Sequence, residues 1–329
     1  MTGALGAPGV DGALCQPRVY FPVFPVTGAS DAAGPYYPLE PGSAGGDSWL
    51  ERDMQYAHYR ARKQRVLRTL GRGPLRAREA APSALAAAEQ FLRARLMEYQ
   101  PYRRDPPRLE RLGLDGLMLE IQEDLAIVTL PVGFAPERSR VHYLHVCFPS
   151  GWDPRRMLDK NFLSVHARVP AVPGFDRVQR VAHASHLFAQ PAVRFIWALT
   201  PDDELDHHPD TPRAAHWQST THAYLRVERQ LIVPLSAAGL PASKQSVQPE
   251  PQLAAGSTTH DRTTLFFIRT YIYPVARLSA EQCGMLIQAL ARMPVELRRY
   301  KGMLGHEARI VELLERDGAA NESPLHARG

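Results

Sequence analysis

Six short runs rich in β-branched and aromatic residues constrain this chain more than any other feature. They cover residues 117–121, 125–130, 141–147, 193–199, 224–233 and 264–273. Such runs are strand signals. Most are separated by turns or short loops, which favours an antiparallel sheet, because parallel strands need longer crossovers. Helical patterning flanks them on both sides. Residues 49–70 have helical spacing and many charges. Ser83 is placed to cap a helix running to about Tyr99, with Leu85, Ala88, Leu92, Leu96 and Tyr99 on one stripe. The link 154–163 is the most helix-like piece between strands. At the far end Ser279-Ala280-Glu281-Gln282 reads as a capping box. Cys283, Leu286, Ile287 and Leu290 continue it as an apolar stripe, Pro294 starts a turn through Tyr300, and residues 307–316 form a last helix. The polar tail 318–329 is expected to fray. The fold class is therefore α+β, an antiparallel sheet between helical ends.

Residues 1–48 are rich in Gly, Pro and Tyr and read as an irregular arm. The stretches 202–221 and 236–261 read as surface loops inserted in the sheet region. Residues 49–303 are expected to form a single domain, and 304–329 a C-terminal helix and tail. The 29 Pro residues, about twice the usual share, fit a loop-rich periphery.

Composition excludes several classes. A hydrophobic share of 44% and a charged share of 22% are globular values, not those of a disordered or fibrous chain. The net charge of +5 hints at nucleic acid. However, only Lys63, Lys160, Lys244 and Lys301 are lysines, and the basic residues are not clustered as a phosphate-binding stripe would be. The densest group, Arg60, Arg62, Lys63, Arg65, Arg68 and Arg72, reads as a solvated helix face. Cys15, Cys147 and Cys283 are too few and too far apart for a disulfide framework or a zinc knuckle. The N-terminus lacks the pattern of a signal peptide, and no apolar run is long enough to span a bilayer. A soluble cytoplasmic protein with no nucleic-acid or membrane partner is expected.

Nucleotide and hydrolase motifs are missing. Ser150-Gly151-Trp152 reads as a turn. His207-His208, with Asp206 and Asp210, lie in a polar excursion and are expected to be solvent-exposed rather than to bind a metal. His142 and His145 fall on opposite faces of one strand and cannot chelate together. His166 lies in an apolar stretch, where a ligand role and a hydrogen-bonded core role both stand open. In the strand from 221 to 230, alternation puts Tyr224, Arg226 and Glu228 on one face, which suits either a polar pocket wall or an exposed face. Arg269 sits among Leu265, Phe267, Tyr271 and Tyr273, and needs an anionic partner if buried. Arg194, between Val193 and Phe195, poses the same question. Together these arginines suggest a pocket for an anion such as a carboxylate.

Seven segments occur in a co-linear order: Gln122-Glu123-Asp124-Leu125, the run from Phe148 through Ser150-Gly151-Trp152 to Pro154, Val165-His166-Ala167-Arg168-Val169-Pro170, Arg194-Phe195-Ile196-Trp197, Leu225-Arg226-Val227-Glu228-Arg229-Gln230, Phe267-Ile268-Arg269-Thr270-Tyr271, and Tyr300-Lys301-Gly302. Over roughly residues 20–303 this set resembles the haem-dependent oxidative N-demethylase alpha-subunit family. The resemblance implies a PAS-like core with haem b. It also implies a monooxygenase that removes a methyl group from a small secondary amine as formaldehyde, with electrons from NADPH through a flavin-containing reductase partner. In that setting His166 matches the family's histidine element as iron ligand, with His145 second. Arg194, Arg226 and Arg269 become partners for the haem propionates, Glu228 the group that binds the cationic amine or takes its proton, and Tyr224 a pocket residue. Ile196 stands where the family pattern carries Asn. A non-enzymatic haem- or ligand-binding sensor or carrier module is the alternative.

Overall fold

The two longest strand patterns become the centre of the sheet. In the computed structural model, β6 (Tyr224–Leu235) and β7 (Arg262–Pro274) pair antiparallel from Tyr224↔Pro274 to Leu235↔Thr263. On the other side of β6 lies β5 (Ala192–Thr200), and on the other side of β7 lies β3 (Asp124–Leu130). Next to β3 runs β4 (Arg140–His145). Two-residue strands, β1 (Tyr37–Pro38) and β2 (Leu75–Arg76), stand at the two edges, pairing with Ala192–Val193 of β5 and with Tyr143–Leu144 of β4. The full order is β1-β5-β6-β7-β3-β4-β2, antiparallel throughout. The structure describes residues 37–38, 49–97, 106–131, 136–170, 191–213, 215–235 and 262–322. The rest of the expected arm, the 236–261 excursion and the end of the tail lie outside the described residues.

Eight helices accompany the sheet among the described residues: α1 (Tyr56–Arg68), α2 (Pro82–Leu96), α3 (Pro106–Glu110), α4 (Leu114–Leu117), α5 (Phe162–Val165), α6 (Ala280–Arg292), α7 (Val295–Tyr300) and α8 (Glu307–Glu322). None is long and apolar enough to cross a membrane. The class is α+β.

The odd-numbered residues of β5, β6 and β7 share one face. At one end of that face Leu231, Val233, Leu265 and Phe267 pack with Phe91 and Leu92 of α2. At the other end Leu225, Val227 and Tyr271 pack with Leu286 and Leu290 of α6 and with Ile310 and Leu313 of α8. Arg229 and Arg269 lie between these clusters, directly opposite each other across the strand pair and essentially buried. Like charges in that position repel. The segment before α1 resolves the conflict. Asp53 pairs with Arg269 at 3.0 Å, and Glu51 with Arg229 at 3.4 Å. Gln122 and Glu123 hold that segment in turn, accepting from the backbone N–H groups of Asp53 at 3.0 Å and Glu51 at 2.9 Å.

Beyond Asp124↔Ile268, β7 runs on past the start of β3. There α1 covers its edge. The Tyr59 hydroxyl donates to the Thr270 carbonyl, and the Arg269 guanidinium stacks on the Tyr59 ring at 3.8 Å. Lys63, fully buried, donates to the carbonyls of Met118 and Glu123 and lies 3.7 Å from Asp124.

Several expectations need correction. Residues 117–121 are not a strand but the end of α4 and a following turn; a short apolar run buried on all sides carries no period to tell the two apart. Ser83 does not cap α2, because Pro82 at the first turn sets the start and Ala81 is the N-cap. The first helix begins at Tyr56 rather than 49, since residues 49–55 supply the buried carboxylates. Its charges are not all a solvated face, as Lys63 shows. The link 154–163 holds only a 3-10 turn, Pro154–Arg156, before α5 begins at Phe162. The last helix runs to Glu322, past the residue where fraying was expected, and Gly318 lets it pass close to Cys283 of α6. The capping box at Ser279 forms as expected.

Two predictions follow from the buried charges. Asp53→Ala leaves Arg269 buried without its counter-ion and should lower the urea unfolding free energy by about 3–5 kcal/mol. Burial pushes the Asp124 carboxyl up to about 6 against the pull of Lys63, while in the unfolded chain it titrates near 3.9. Its contribution is therefore fully present below about pH 4 and is lost as the pH rises through 6. Relative to Asp124→Asn, wild-type stability should fall by roughly 2 kcal/mol between pH 4 and 7; a pH-independent difference would refute this.

Candidate functional site

The described residues leave a cavity over the opposite sheet face. The β4–β5 connection crosses it, and Phe162, Val165 and Met157 pack there against Leu144, Phe266 and Ile232. Between that connection, the sheet, the 202–218 segment and α7 lies a cavity of about 710 Å³. Ligand pockets typically span about 300–1,000 Å³. Ala126, Val128, Leu144, Phe266 and Ile268 make an apolar wall, and Arg194, Arg226, Glu228 and Gln230 a polar one. All four polar residues project from even positions of β5 and β6, so strand alternation assembles this wall.

His166 lines the cavity just after α5. Asn161 caps that short helix through the Ser164 N–H at 2.8 Å. His166 Nδ1 lies 2.8 Å from the Phe162 carbonyl, and its ring packs on the Phe162 ring with centroids 4.2 Å apart. A carbonyl only accepts, so Nδ1 carries the hydrogen. In the neutral ring this leaves Nε2 as the basic nitrogen, the tautomer a metal ligand needs. Arg168, two residues on, also lines the cavity, as do Tyr300, Lys301 and Gly302. Tyr300 is 48% exposed, but desolvation at its hydroxyl and then Glu228 raise its pKa, against Arg194 and Arg168; these four side chains therefore share one region.

The predicted site residues divide. His166, Arg194, Arg226 and Glu228 come together at the cavity. Arg226 has its guanidinium engaged with the carbonyls of Glu204, Leu205 and Phe148 at 3.0–3.2 Å and with Ser150 Oγ at 2.9 Å. Arg269 is on the other face of the sheet, where its anion is Asp53 rather than a cofactor carboxylate. Its odd position puts it there, opposite Arg229. Tyr224, at the end of β6, does not line the cavity, and neither does His145.

His145 lies instead with Asp124 and Cys147, their ligand atoms within 4.8 Å of one another. Burial and the Lys63 ammonium hold its pKa down at about 3, and burial pushes the Cys147 thiol up. Lys63 already supplies the positive charge there. His142 bonds Thr129 at 2.7 Å, across a bulge between Ile127 and Val128. The expectation that His207 and His208 are exposed fails. Both are buried, with Asp202 and Asp153 as partners at 3.0 and 3.4 Å. The segment from 202 to 218 is thus a cavity wall rather than a free loop.

Arg168, Gln230, Ser150 and Tyr300 fall within the co-linear motifs, but sequence reasoning gave none of them a place in the site. Gln230 was within reach, since it continues the alternation of Arg226 and Glu228. The other three come from loops and a helix end, where no period marks direction.

Comparison with known proteins adds one finding. The family model described as haem-dependent oxidative N-demethylase, alpha subunit-like, matches residues 42–243. No curated protein matches the chain.

Proposed function

The chain belongs to the haem-dependent oxidative N-demethylase alpha subunit-like family, and from that membership and the cavity we propose that it is a haem b monooxygenase subunit that removes a methyl group from a small secondary amine. The description of an alpha subunit points to a multi-subunit assembly. Overall, the amine, O₂, two electrons and two protons give the demethylated amine, formaldehyde and water. The electrons are assigned to NADPH through a flavin-containing reductase partner. The haem supplies the oxygen activation, as cofactors generally carry such chemistry. Residues 49–303 are read as one PAS-like haem-binding domain. The order of its five long strands, β5-β6-β7-β3-β4, supports that reading.

The observation that carries the proposal is the cavity's donor set. It combines an apolar wall for a flat macrocycle, a histidine whose Nδ1–H is committed to the Phe162 carbonyl, and basic side chains for two propionates. His166 would ligate the iron through Nε2. Arg194 and Arg168 would pair with the propionates in charge-assisted bonds. Arg226 is better suited to holding the wall, because carbonyls already take most of its donors. The Glu228 carboxylate would hold the protonated amine and accept a proton from it. The apolar wall would exclude water around that ion pair and so strengthen it.

A second reading, a haem-binding sensor or carrier without turnover, is favoured by Ile196. It registers opposite Glu228 and lines the cavity, where it puts an apolar side chain beside the carboxylate.

Reconstitution of the purified protein with haem should give a Soret band, and His166→Ala should abolish it. An unchanged spectrum in that variant would refute the ligand assignment. With a reductase and NADPH, wild type should release formaldehyde from dimethylamine, and Glu228→Gln should slow this by 100-fold or more, on the order of a lost general base. Haem binding with no formaldehyde across an amine panel would select the sensor reading.

A further inference from the structure

Three neighbours decide where the Glu228 carboxylate points. Gln230, two residues on in β6, donates its Nε2–H to Oε2 at 2.9 Å. Ser150 donates its hydroxyl hydrogen to Oε1. Arg226 Nε donates to Ser150 Oγ at 2.9 Å. A hydroxyl has one hydrogen to give. With Arg226 pointing its own hydrogen at Oγ, that one hydrogen is directed to Glu228. The chain Arg226→Ser150→Glu228 therefore runs in one direction only.

The donors are themselves fixed. Arg226 is buried and tied to three backbone carbonyls. The Ser150 turn is tied to the 202–208 segment, with Gly151 N–H donating to the His207 carbonyl at 3.0 Å and His207 N–H to the Pro149 carbonyl at 3.1 Å. Gly151 stands at φ +78°, a left-handed conformation that lets the turn double back and present Ser150 to the cavity. His207, which closes the bridge, is held by Asp202 at 3.0 Å. A carboxylate accepts about four hydrogen bonds. Ser150 and Gln230 take one site on each oxygen and leave the rest for a cavity ligand.

We propose that Ser150 is a positioning residue that, with Gln230, holds the Glu228 carboxylate in place to receive a cation in the cavity. This rests on the amine reading above for the identity of that cation, and on the geometry alone for the positioning. Ser150 does not touch the reacting atoms; it acts through Glu228.

The test uses the haem-loaded full-length protein and dimethylammonium chloride as the probe, with binding followed by the haem absorption. Ser150→Ala should raise Kd about tenfold, the scale of one hydrogen bond to a charged group. Ser150→Thr, which keeps the hydroxyl, should stay within about threefold of wild type by the same measure. In the Glu228→Gln background, Ser150→Ala should change Kd by less than about twofold, because a residue acting through Glu228 is silent once the carboxylate is gone. An equal loss in both backgrounds, or no loss in wild type, overturns the proposal. Urea unfolding of wild type, Ser150→Ala, Glu228→Gln and their double variant without amine reads the Ser150–Glu228 coupling directly. Non-additive effects are expected, and additive ones overturn the positioning role. Should wild type bind no dimethylammonium, the amine reading fails, and the unfolding cycle alone decides the positioning.

Discussion

Two arginines side by side in the middle of a sheet set the terms for the rest of this structure. Arg229 and Arg269 stand opposite each other on adjacent strands with almost no access to water. Unpaired, they would cost more than the neighbouring apolar packing could offset. Glu51 and Asp53 must therefore reach them, and this brings residues 49–55 across the sheet and delivers α1 to the open edge of β7. Gln122 and Glu123 hold those carboxylates' backbone, so the start of β3 is tied into the same network. The face is divided by this ionic band into two apolar halves. One is covered by α2 and the other by α6 and α8.

The cavity is the consequence on the other face. With α2, α6 and α8 committed to the odd-numbered side, the described cover of the even-numbered side comes from the β4–β5 connection with its short α5, the 202–218 segment and α7. The cavity lies between them, and the even residues of β5 and β6 place their polar groups in it. The same sheet thus buries one set of arginines as structure and turns another toward a cavity. What separates Arg269 from Arg194 is the parity of the position, not the residue type. At Arg269 an internal aspartate meets the need for an anion, whereas Arg194 borders the cavity.

Much of the architecture was legible in the residues. Five of the six strand patterns form strands, because runs of β-branched and aromatic residues suit a pleated backbone buried in a sheet. The capping box at Ser279 formed because its interactions are local. The cap of α2 failed locally, on Pro82, but the failures at 117–121 and at His207 and His208 share a cause: they depended on tertiary contacts. Nothing near 117–121 said that Leu117, Met118 and Ile121 would be buried by other parts of the fold. The burial of His207 and His208 depends on Asp202, Asp153 and a bridge to the Ser150 turn, and no composition rule sees those. The grouping of Arg226 with Glu228 was legible from period 2, while the role of Arg226 as a clamp for three carbonyls was not.

The sequence by itself determined the class of the fold, the strand faces and the co-linear motifs that mark the family, since each depends on local pattern or on order along the chain. The tertiary structure alone decided which arginines meet internal carboxylates and which border the cavity. It also decided that His166 rather than His145 lines that space, and that Ser150 orients Glu228. These are matters of which distant segments meet, and meeting is settled by the need to pair buried charge, a constraint that acts across the whole sheet at once.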